Sequence, residues 1–198
     1  MSRFQEALLA NASAFDVSLS PETQSKLGDY YDLLTHWNAR LHLVAPCSPE
    51  EFATRHVLES LMLLKHLPAE AKIADIGSGA GLPVIPCLIA RPDLHATMIE
   101  SSQKKSVFLR EASKQLGIAS TVIAKPFEDI PAPDVSFVTC RALDEFMTKL
   151  PAIVRWAPHG SKLLLFGGET LGQKLGAGTQ EFKIPLSDRR FLFLNTPD

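Results

Sequence analysis

A glycine-rich turn between an apolar strand and a helix is the feature that most constrains the fold. Residues 73–76 (Ile-Ala-Asp-Ile) form a short apolar run, and residues 77–81 (Gly-Ser-Gly-Ala-Gly) follow it directly. The pattern then becomes helical over about 82–91. Glycines allow a tight turn and let a ligand approach the backbone without interference from a Cβ atom. In an open α/β sheet, a turn of this kind lies at the carboxyl end of a strand, where ligands bind.

Strand and helix patterns alternate along the chain after this point. Helices are predicted over 103–116, where Gly117 is suited to end the helix, and over 144–156. Strands are predicted at 95–99, 121–124, 135–140, 162–166, 180–185 and 190–195. This alternation predicts an α/β fold with a mostly parallel sheet and helices on both faces.

The first third of the chain has a different character. Ser20 followed by Pro21 is typical of a helix start, and the apolar spacing predicts a helix from about 21 to 38. Ser48 and Glu51 form a capping-box pattern before a second helix, which is expected to end near Pro68. The sequence thus predicts a small N-terminal helical cap over 1–70 and a sheet domain over 71–198.

Composition excludes several classes of protein. The chain has 198 residues, of which 45% are hydrophobic and 21% charged, so a disordered chain is excluded. No apolar run reaches about 18 residues, and we expect neither a membrane span nor a secretory signal. Three widely spaced cysteines favour a reducing cytoplasm over a disulfide framework. Residues 1–70 carry five Lys/Arg against nine Asp/Glu, while 71–198 carry fifteen against thirteen, so only a local basic surface is expected.

The residues around the turn narrow the choice of ligand. A dinucleotide fingerprint needs glycine where Leu82 stands, and a P-loop needs Gly-Lys-Ser/Thr. Asp75 precedes the first glycine by two residues, and Glu100 follows Gly81 by 19, a spacing at which an acid reaches ribose hydroxyls. This constellation resembles the class I methyltransferases, which bind S-adenosylmethionine. The alternative is a tight turn without a ligand.

Further segments resemble one particular family of bacterial small-subunit (16S) rRNA methyltransferases, RsmG or GidB, which modify guanine N7. The resemblance covers roughly residues 25–170 and includes the cap. It rests on five segments: 37–46 (WNARLHLVAP), 55–60 (RHVLES), 77–83 (GSGAGLP), 100–110 (ESSQKKSVFLR) and 141–142 (RA). Three positions depart from the family pattern, namely His42, where Asn is usual, Pro126, where Arg is usual, and Phe166, where Lys is common.

The resemblance implies a set of site residues. Those expected to bind S-adenosylmethionine are Asp75, Gly77, Ser78, Gly79, Gly81, Leu82, Glu100, Ser101, Phe127, Glu128 and Arg141. Those expected to contact RNA are Arg55, His56, Lys104, Lys105 and Lys125. For His56 a structural role is the alternative, and for Glu128 it is a solvated loop acid. The partner implied is small-subunit rRNA or the 30S subunit. We expect a monomer, and no metal, since Cys and His do not cluster at ligand spacing.

The expected reaction explains which catalytic groups the sequence lacks. Guanine N7 has a free lone pair and no proton, so its methylation requires positioning of the reactants rather than a general base. Arg141, at the carboxyl end of the predicted fourth strand, is the candidate catalytic residue, through a hydrogen bond to guanine O6 or a phosphate. The alternative is an ion pair with Asp144 or Glu145.

Other functions stay open at this stage. Cys140 has the chemistry for a covalent pyrimidine mechanism, against a role as a buried thiol. The acceptor of the methyl group is alternatively another RNA or a small molecule. A third hypothesis is a protein that binds S-adenosylmethionine without turnover and acts in assembly or regulation.

Overall fold

One seven-stranded sheet organises the chain, as a computed structural model describes it for residues 1–141 and 145–197. The strand order is β3-β2-β1-β4-β5-β7-β6. The first five strands of this order are parallel, and β7 runs antiparallel to both β5 and β6. The strands are β1 Lys72–Ile76, β2 His95–Ile99, β3 Ser120–Ile123, β4 Phe137–Cys140, β5 Lys162–Gly167, β6 Gln180–Lys183 and β7 Phe191–Asn195. The prediction of a mostly parallel α/β sheet is confirmed.

Helices cover both faces of this sheet. Ile73 and Ala74 are neighbours in β1, and because successive strand residues point to opposite faces, they belong to two different core clusters. The helices are α1 Arg3–Ala12, α2 Pro21–Leu41, the composite helix α3 Pro49–His66, α4 Val84–Ala90, α5 Gln103–Leu116, α6 Phe146–Trp156 and α7 Glu169–Leu175. The first cluster includes side chains of α1 to α5, and the second includes side chains of α6 and α7.

Local signals in the sequence set the helix ends. The Ser20 side chain accepts a hydrogen bond from the Thr23 amide at the start of α2, and Ser48 does the same for the Glu51 amide at the start of α3. The helix α2 ends at Leu41, three residues beyond the predicted end, and is followed by His42, whose backbone is left-handed with φ of 48°. Gly117, with φ of 64°, ends α5 as expected.

The helix α3 is a composite of four consecutive segments. It comprises α-helical Pro49–Glu51, π-helical Phe52–Leu58, α-helical Glu59–Leu61 and 3₁₀-helical Met62–His66. π-Helical turns are rare and are found frequently at functional sites. The predicted second cap helix is therefore present, with a local geometry that the sequence pattern did not indicate.

The N-terminal helices α1 to α3, which we call the cap, pack directly on the rest of the chain through a shared core. Leu27 and Leu34 of α2 belong to the same buried cluster as Phe108 and Leu109 of α5. The Trp37 and Phe108 rings meet edge to face, with centroids 5.9 Å apart. The apolar side chains Phe108, Leu109, Ala112 and Leu116 of α5 are buried, and α2 provides part of their cover.

The helix α7 is an element that the sequence analysis did not predict. Its sequence, ETLGQKL, contains Gly172, which lowers intrinsic helix propensity. The structure explains this glycine, because a Cβ atom there would lie 2.7 Å from the Phe193 ring of β7. Close packing of α7 on the sheet therefore requires a residue that weakens the helical signal.

Candidate active site

A pocket of about 580 Å³ opens at the carboxyl ends of the parallel strands. This volume lies in the range of small-molecule sites, roughly 300–1,000 Å³. The glycine turn and Glu100 form one side, and the side chains of α3 together with Arg141 form the other. The predicted site residues that line the pocket are Arg55, His56, Gly77, Ser78, Gly79, Leu82, Glu100, Ser101, Lys105 and Arg141. The structure thus brings most of both predicted sets to one place.

The glycine turn uses backbone conformations that glycine adopts without strain. Gly77, Gly79 and Gly81 all have positive φ, at 72°, 52° and 82°. A Cβ atom on Gly81 would lie 2.2 Å from the Ile85 Cδ1 atom, so the turn and α4 meet without room for a side chain. The Gly77 amide donates to the Ile99 carbonyl at 2.8 Å, which ties the turn to the end of β2.

Glu100 lies immediately beyond β2 and contacts the turn directly. Its Oε2 atom accepts from the Gly79 amide at 2.8 Å, and its Oε1 atom accepts from the Ser102 amide at 2.8 Å. The side chain is 7% exposed. The carboxylate of Glu100, 19 residues after Gly81, thus lies against the glycine turn. Its role at ribose hydroxyls stays a prediction.

Asp75 is the most unusual group near the turn. It has no solvent exposure, and neither carboxylate oxygen has a hydrogen-bond partner among the described residues. Burial raises the pKa of the Asp75 carboxyl well above its usual range. Unpartnered buried carboxylates are costly and are typical of functional sites.

Arg141 follows β4 and extends its guanidinium to α3. One terminal nitrogen donates to the His56 carbonyl and the Ser60 hydroxyl, each at 3.3 Å. The other donates to the Arg55 carbonyl and lies 3.2 Å from Glu59 Oε2. Two of these acceptors are carbonyls of the π-helical segment. Arg141 therefore connects the sheet to the cap at the pocket wall.

Three charged side chains form what we call the arginine–glutamate cluster: Arg141, Glu59 and Arg190. The Glu59 side chain is 3% exposed and pairs with both arginines. Burial raises the pKa of Glu59, although the nearby arginines oppose this effect. Of the ion-pair partners considered from the sequence, Asp144 lies outside the described residues. The acidic partner that the structure provides is Glu59, from the cap.

His56 lies beside this cluster and is neutral. Burial and the positive charge of Arg141 lower the pKa of His56 to about 3. Its Nδ1 atom lies 3.4 Å from an Arg141 terminal nitrogen, and its ring packs against Phe52. These contacts support the structural alternative considered for His56, while its contact with RNA stays a prediction.

Several predicted residues lie away from the pocket lining. Phe127 is buried against the Trp156 ring, with centroids 5.8 Å apart, and Glu128 and Lys125 are exposed next to it. Lys104 is exposed in the first turn of α5. Cys140 has no solvent exposure, which supports its interpretation as a buried thiol.

Some pocket residues were missed by sequence reasoning. Arg190 reaches the pocket from the connection between β6 and β7, and Lys149 reaches it from α6. Tyr30 of α2, which is buried and lies outside the pocket lining, donates a hydrogen bond to the Ala80 carbonyl of the glycine turn. Arg190 follows another arginine in a polar stretch, which gives no signal of a role. Only the antiparallel return of β7 beside β5 brings it to the site.

Comparison with known proteins identifies the family. The family model described as "rRNA small subunit methyltransferase G" (GidB) matches residues 23–188. This chain belongs to the GidB family. A GidB-family relative from Anaeromyxobacter dehalogenans, named ribosomal RNA small subunit methyltransferase G, is 36% identical over 179 residues, covering 88% of this chain and 80% of the relative. A relative of the same name from Sorangium cellulosum is 35% identical over 178 residues, covering 86% and 74%.

Solved structures support the fold of this GidB member. A SAM-dependent methyltransferase from Aquifex aeolicus superposes with a TM-score of 0.57 at 17% identity, covering 74% of this chain and 93% of the other. A ribosomal protein L11 methylase from Lactobacillus delbrueckii subsp. bulgaricus gives 0.57 at 14% identity, covering 73% and 79%. The class I methyltransferase fold is confirmed. Within the described ranges, no helix is long and apolar enough to cross a membrane.

Proposed function

We propose that this protein is an S-adenosylmethionine-dependent methyltransferase that methylates guanine N7 in small-subunit rRNA. One observation carries the proposal beyond family membership. The Glu100 carboxylate binds the glycine turn at one side of the pocket, and basic side chains line the other side. A cofactor site and an anion-binding surface therefore face each other across one cavity.

The residues around the turn fit S-adenosylmethionine. Asp75 precedes the turn as a fully buried carboxyl that lies outside the pocket lining and has no hydrogen-bond partner among the described residues. We propose that a polar group of the ligand satisfies it. The positive-φ glycines let a ligand approach the backbone of the turn without side chains in the way. Glu100 offers further acceptor capacity, since each carboxylate oxygen can accept more than one hydrogen bond. We assign cofactor binding to Asp75, Glu100, Ser101 and residues 77–82, with Phe127 and Glu128 assigned to the adenine.

The basic side chains of the pocket fit an RNA backbone. Among the described residues, five basic side chains line the cavity, and the two acidic ones there, Glu59 and Glu100, are both buried and hydrogen-bonded. The basic side chains are Arg55, Lys105, Arg141, Lys149 and Arg190. Phosphate contacts of this kind supply much of the affinity of nucleic-acid-binding proteins. Lys104 and Lys125 extend this basic surface outside the pocket.

The chemistry requires orientation more than acid–base catalysis. Bound S-adenosylmethionine supplies an electrophilic methyl group, and guanine N7 needs no deprotonation. The protein's part is to hold both reactants in one geometry, which contributes about 7–11 kcal/mol in well-oriented systems. The pocket lining offers hydrogen-bond donors, and its histidine, His56, is a weak base because its pKa is lowered to about 3.

Arg141 is the residue that we assign to binding of the methyl acceptor, the guanine. It stands beyond β4, between the glycine turn and the cap, and its guanidinium is largely desolvated, with 13% of the side chain exposed. Hydrogen bonds to a charged donor are worth about 1.5–3 kcal/mol. Arg141 also holds α3, so its replacement is expected to affect both the acceptor and the cap.

The test is methyl transfer to unmodified small subunits and to naked 16S rRNA, followed by mass mapping of the product. We expect one 7-methylguanosine. Methylation at another atom would contradict the N7 assignment, and cofactor binding without transfer to either substrate would favour an assembly or regulatory role.

Cys140→Ser is the matched control, because it is expected to keep most of the turnover. A protein–RNA adduct would contradict this mechanism. A monomeric state and a cytoplasmic location are part of the proposal, to be checked by light scattering and fractionation.

A further inference from the structure

Tyr30 connects the cap to the glycine turn. It lies in the middle of α2 and has no solvent exposure. Its hydroxyl donates to the Ala80 carbonyl at 2.8 Å, across 50 positions of the chain. Ala80 stands between Gly79 and Gly81, at the centre of the turn, and is itself 4% exposed.

The turn depends on contacts of this kind because it has few side chains of its own. On the sheet side, the amides of Gly77 and Ser78 donate to the Ile99 carbonyl at 2.8 and 3.1 Å, and the Gly79 amide donates to Glu100. These contacts hold the first half of the turn. In the second half, the Gly81 amide donates to the Ser78 carbonyl at 2.6 Å and the Ile85 amide donates to the Gly81 carbonyl at 2.7 Å. The remaining carbonyl, that of Ala80, is held by the Tyr30 hydroxyl of the cap.

We propose that Tyr30 is a positioning residue that keeps the glycine turn in its cofactor-binding conformation, so that the docked cap sets the affinity for S-adenosylmethionine. This inference rests on the proposed function. Without the hydroxyl, the buried Ala80 carbonyl lacks its donor, and the turn relaxes toward a conformation that exposes this carbonyl to water. Cofactor binding then has to restore the original conformation, which weakens the observed affinity.

The experiment compares Tyr30→Phe with Tyr31→Phe, its neighbour on the same helix. Tyr31 is a matched control because its half-buried ring stacks on Phe4 of α1, with the ring centroids 4.6 Å apart, so its contact lies within the cap. Isothermal titration with S-adenosylmethionine is expected to show a roughly tenfold higher Kd for Tyr30→Phe, equivalent to about 1.4 kcal/mol. Tyr31→Phe is expected to stay within twofold of the unmodified protein.

Two further measurements separate positioning from general stability. Steady-state transfer should show a raised KM for the cofactor with kcat within twofold, since a saturating cofactor restores the turn. Hydrogen exchange of the cofactor-free protein should be faster across residues 77–82 in Tyr30→Phe only.

Equal Kd values for both variants, with a lower melting temperature for Tyr30→Phe alone, would overturn the inference and leave Tyr30 a structural residue. Failure of the unmodified protein to bind S-adenosylmethionine would instead refute the proposed function. In that case the exchange measurement still decides, because unchanged exchange across 77–82 also overturns the role of Tyr30.

Discussion

Replacing Glu59 by Gln tests the arginine–glutamate cluster most directly. The carboxylate is 3% exposed and compensates Arg141 and Arg190, which are 13% and 30% exposed. Removing one partner of a buried ion pair costs roughly 3–5 kcal/mol, because the other charge stays buried without compensation. Since Arg190 is partly solvated, we expect Glu59→Gln to lower the free energy of unfolding by about 2–4 kcal/mol.

The assay is urea unfolding at neutral pH together with thermal melting. For a chain of this size, about 1 kcal/mol shifts Tm by roughly 2–4 °C, so a decrease of roughly 5–15 °C is expected. Glu51→Gln is the matched control, since Glu51 pairs with Arg55 on the same helix with side chains 39% and 51% exposed. Its loss should cost less than about 1 kcal/mol.

A double variant examines the cause of this loss. If uncompensated positive charge is responsible, adding Arg190→Met to Glu59→Gln should recover about 1 kcal/mol or more, because charges in one network are coupled. Equal stability of Glu59→Gln and Glu51→Gln would refute the reasoning. It would show that solvent reaches the cluster and compensates the arginines.

Three further predictions concern other residues of the described chain. Asp75→Asn should raise the free energy of unfolding at neutral pH and weaken cofactor binding. In the unmodified protein, the folded Asp75 carboxyl keeps a proton that the unfolded chain releases, so its contribution to stability falls as pH rises above 3.8. Urea midpoints at pH 4 and pH 8 should show that the variant has lost this pH dependence. Lys104→Ala should reduce the salt dependence of rRNA binding by about one unit of log–log slope, measured by filter binding, whereas Lys114→Ala, at the far end of the same helix, should not. His42→Asn should increase the free energy of urea unfolding by about 0.5 kcal/mol, because Asn tolerates left-handed backbone better, and a decrease would contradict this.

Contacts made within neighbouring strand–turn–helix units were predictable from the sequence. The glycine turn and Glu100 follow adjacent parallel strands, so their carboxyl ends lie side by side, and the Gly79–Glu100 hydrogen bond agrees with that expectation. The buried face of α5 follows from helical spacing. Such features depend on periodicity and on the topology of a parallel sheet, which a single sequence expresses directly.

The partners of the buried polar groups were decided only by the tertiary structure. The sequence shows that Arg141 is charged, but its partner Glu59 stands 82 positions earlier, and Arg190 joins them through the antiparallel return of β7. Tyr30 resembles any apolar position of α2 until packing brings Ala80 to its hydroxyl. A side chain's chemistry sets what it can bind, whereas the element that lies opposite is determined by how the cap docks on the sheet, and no local pattern encodes that arrangement.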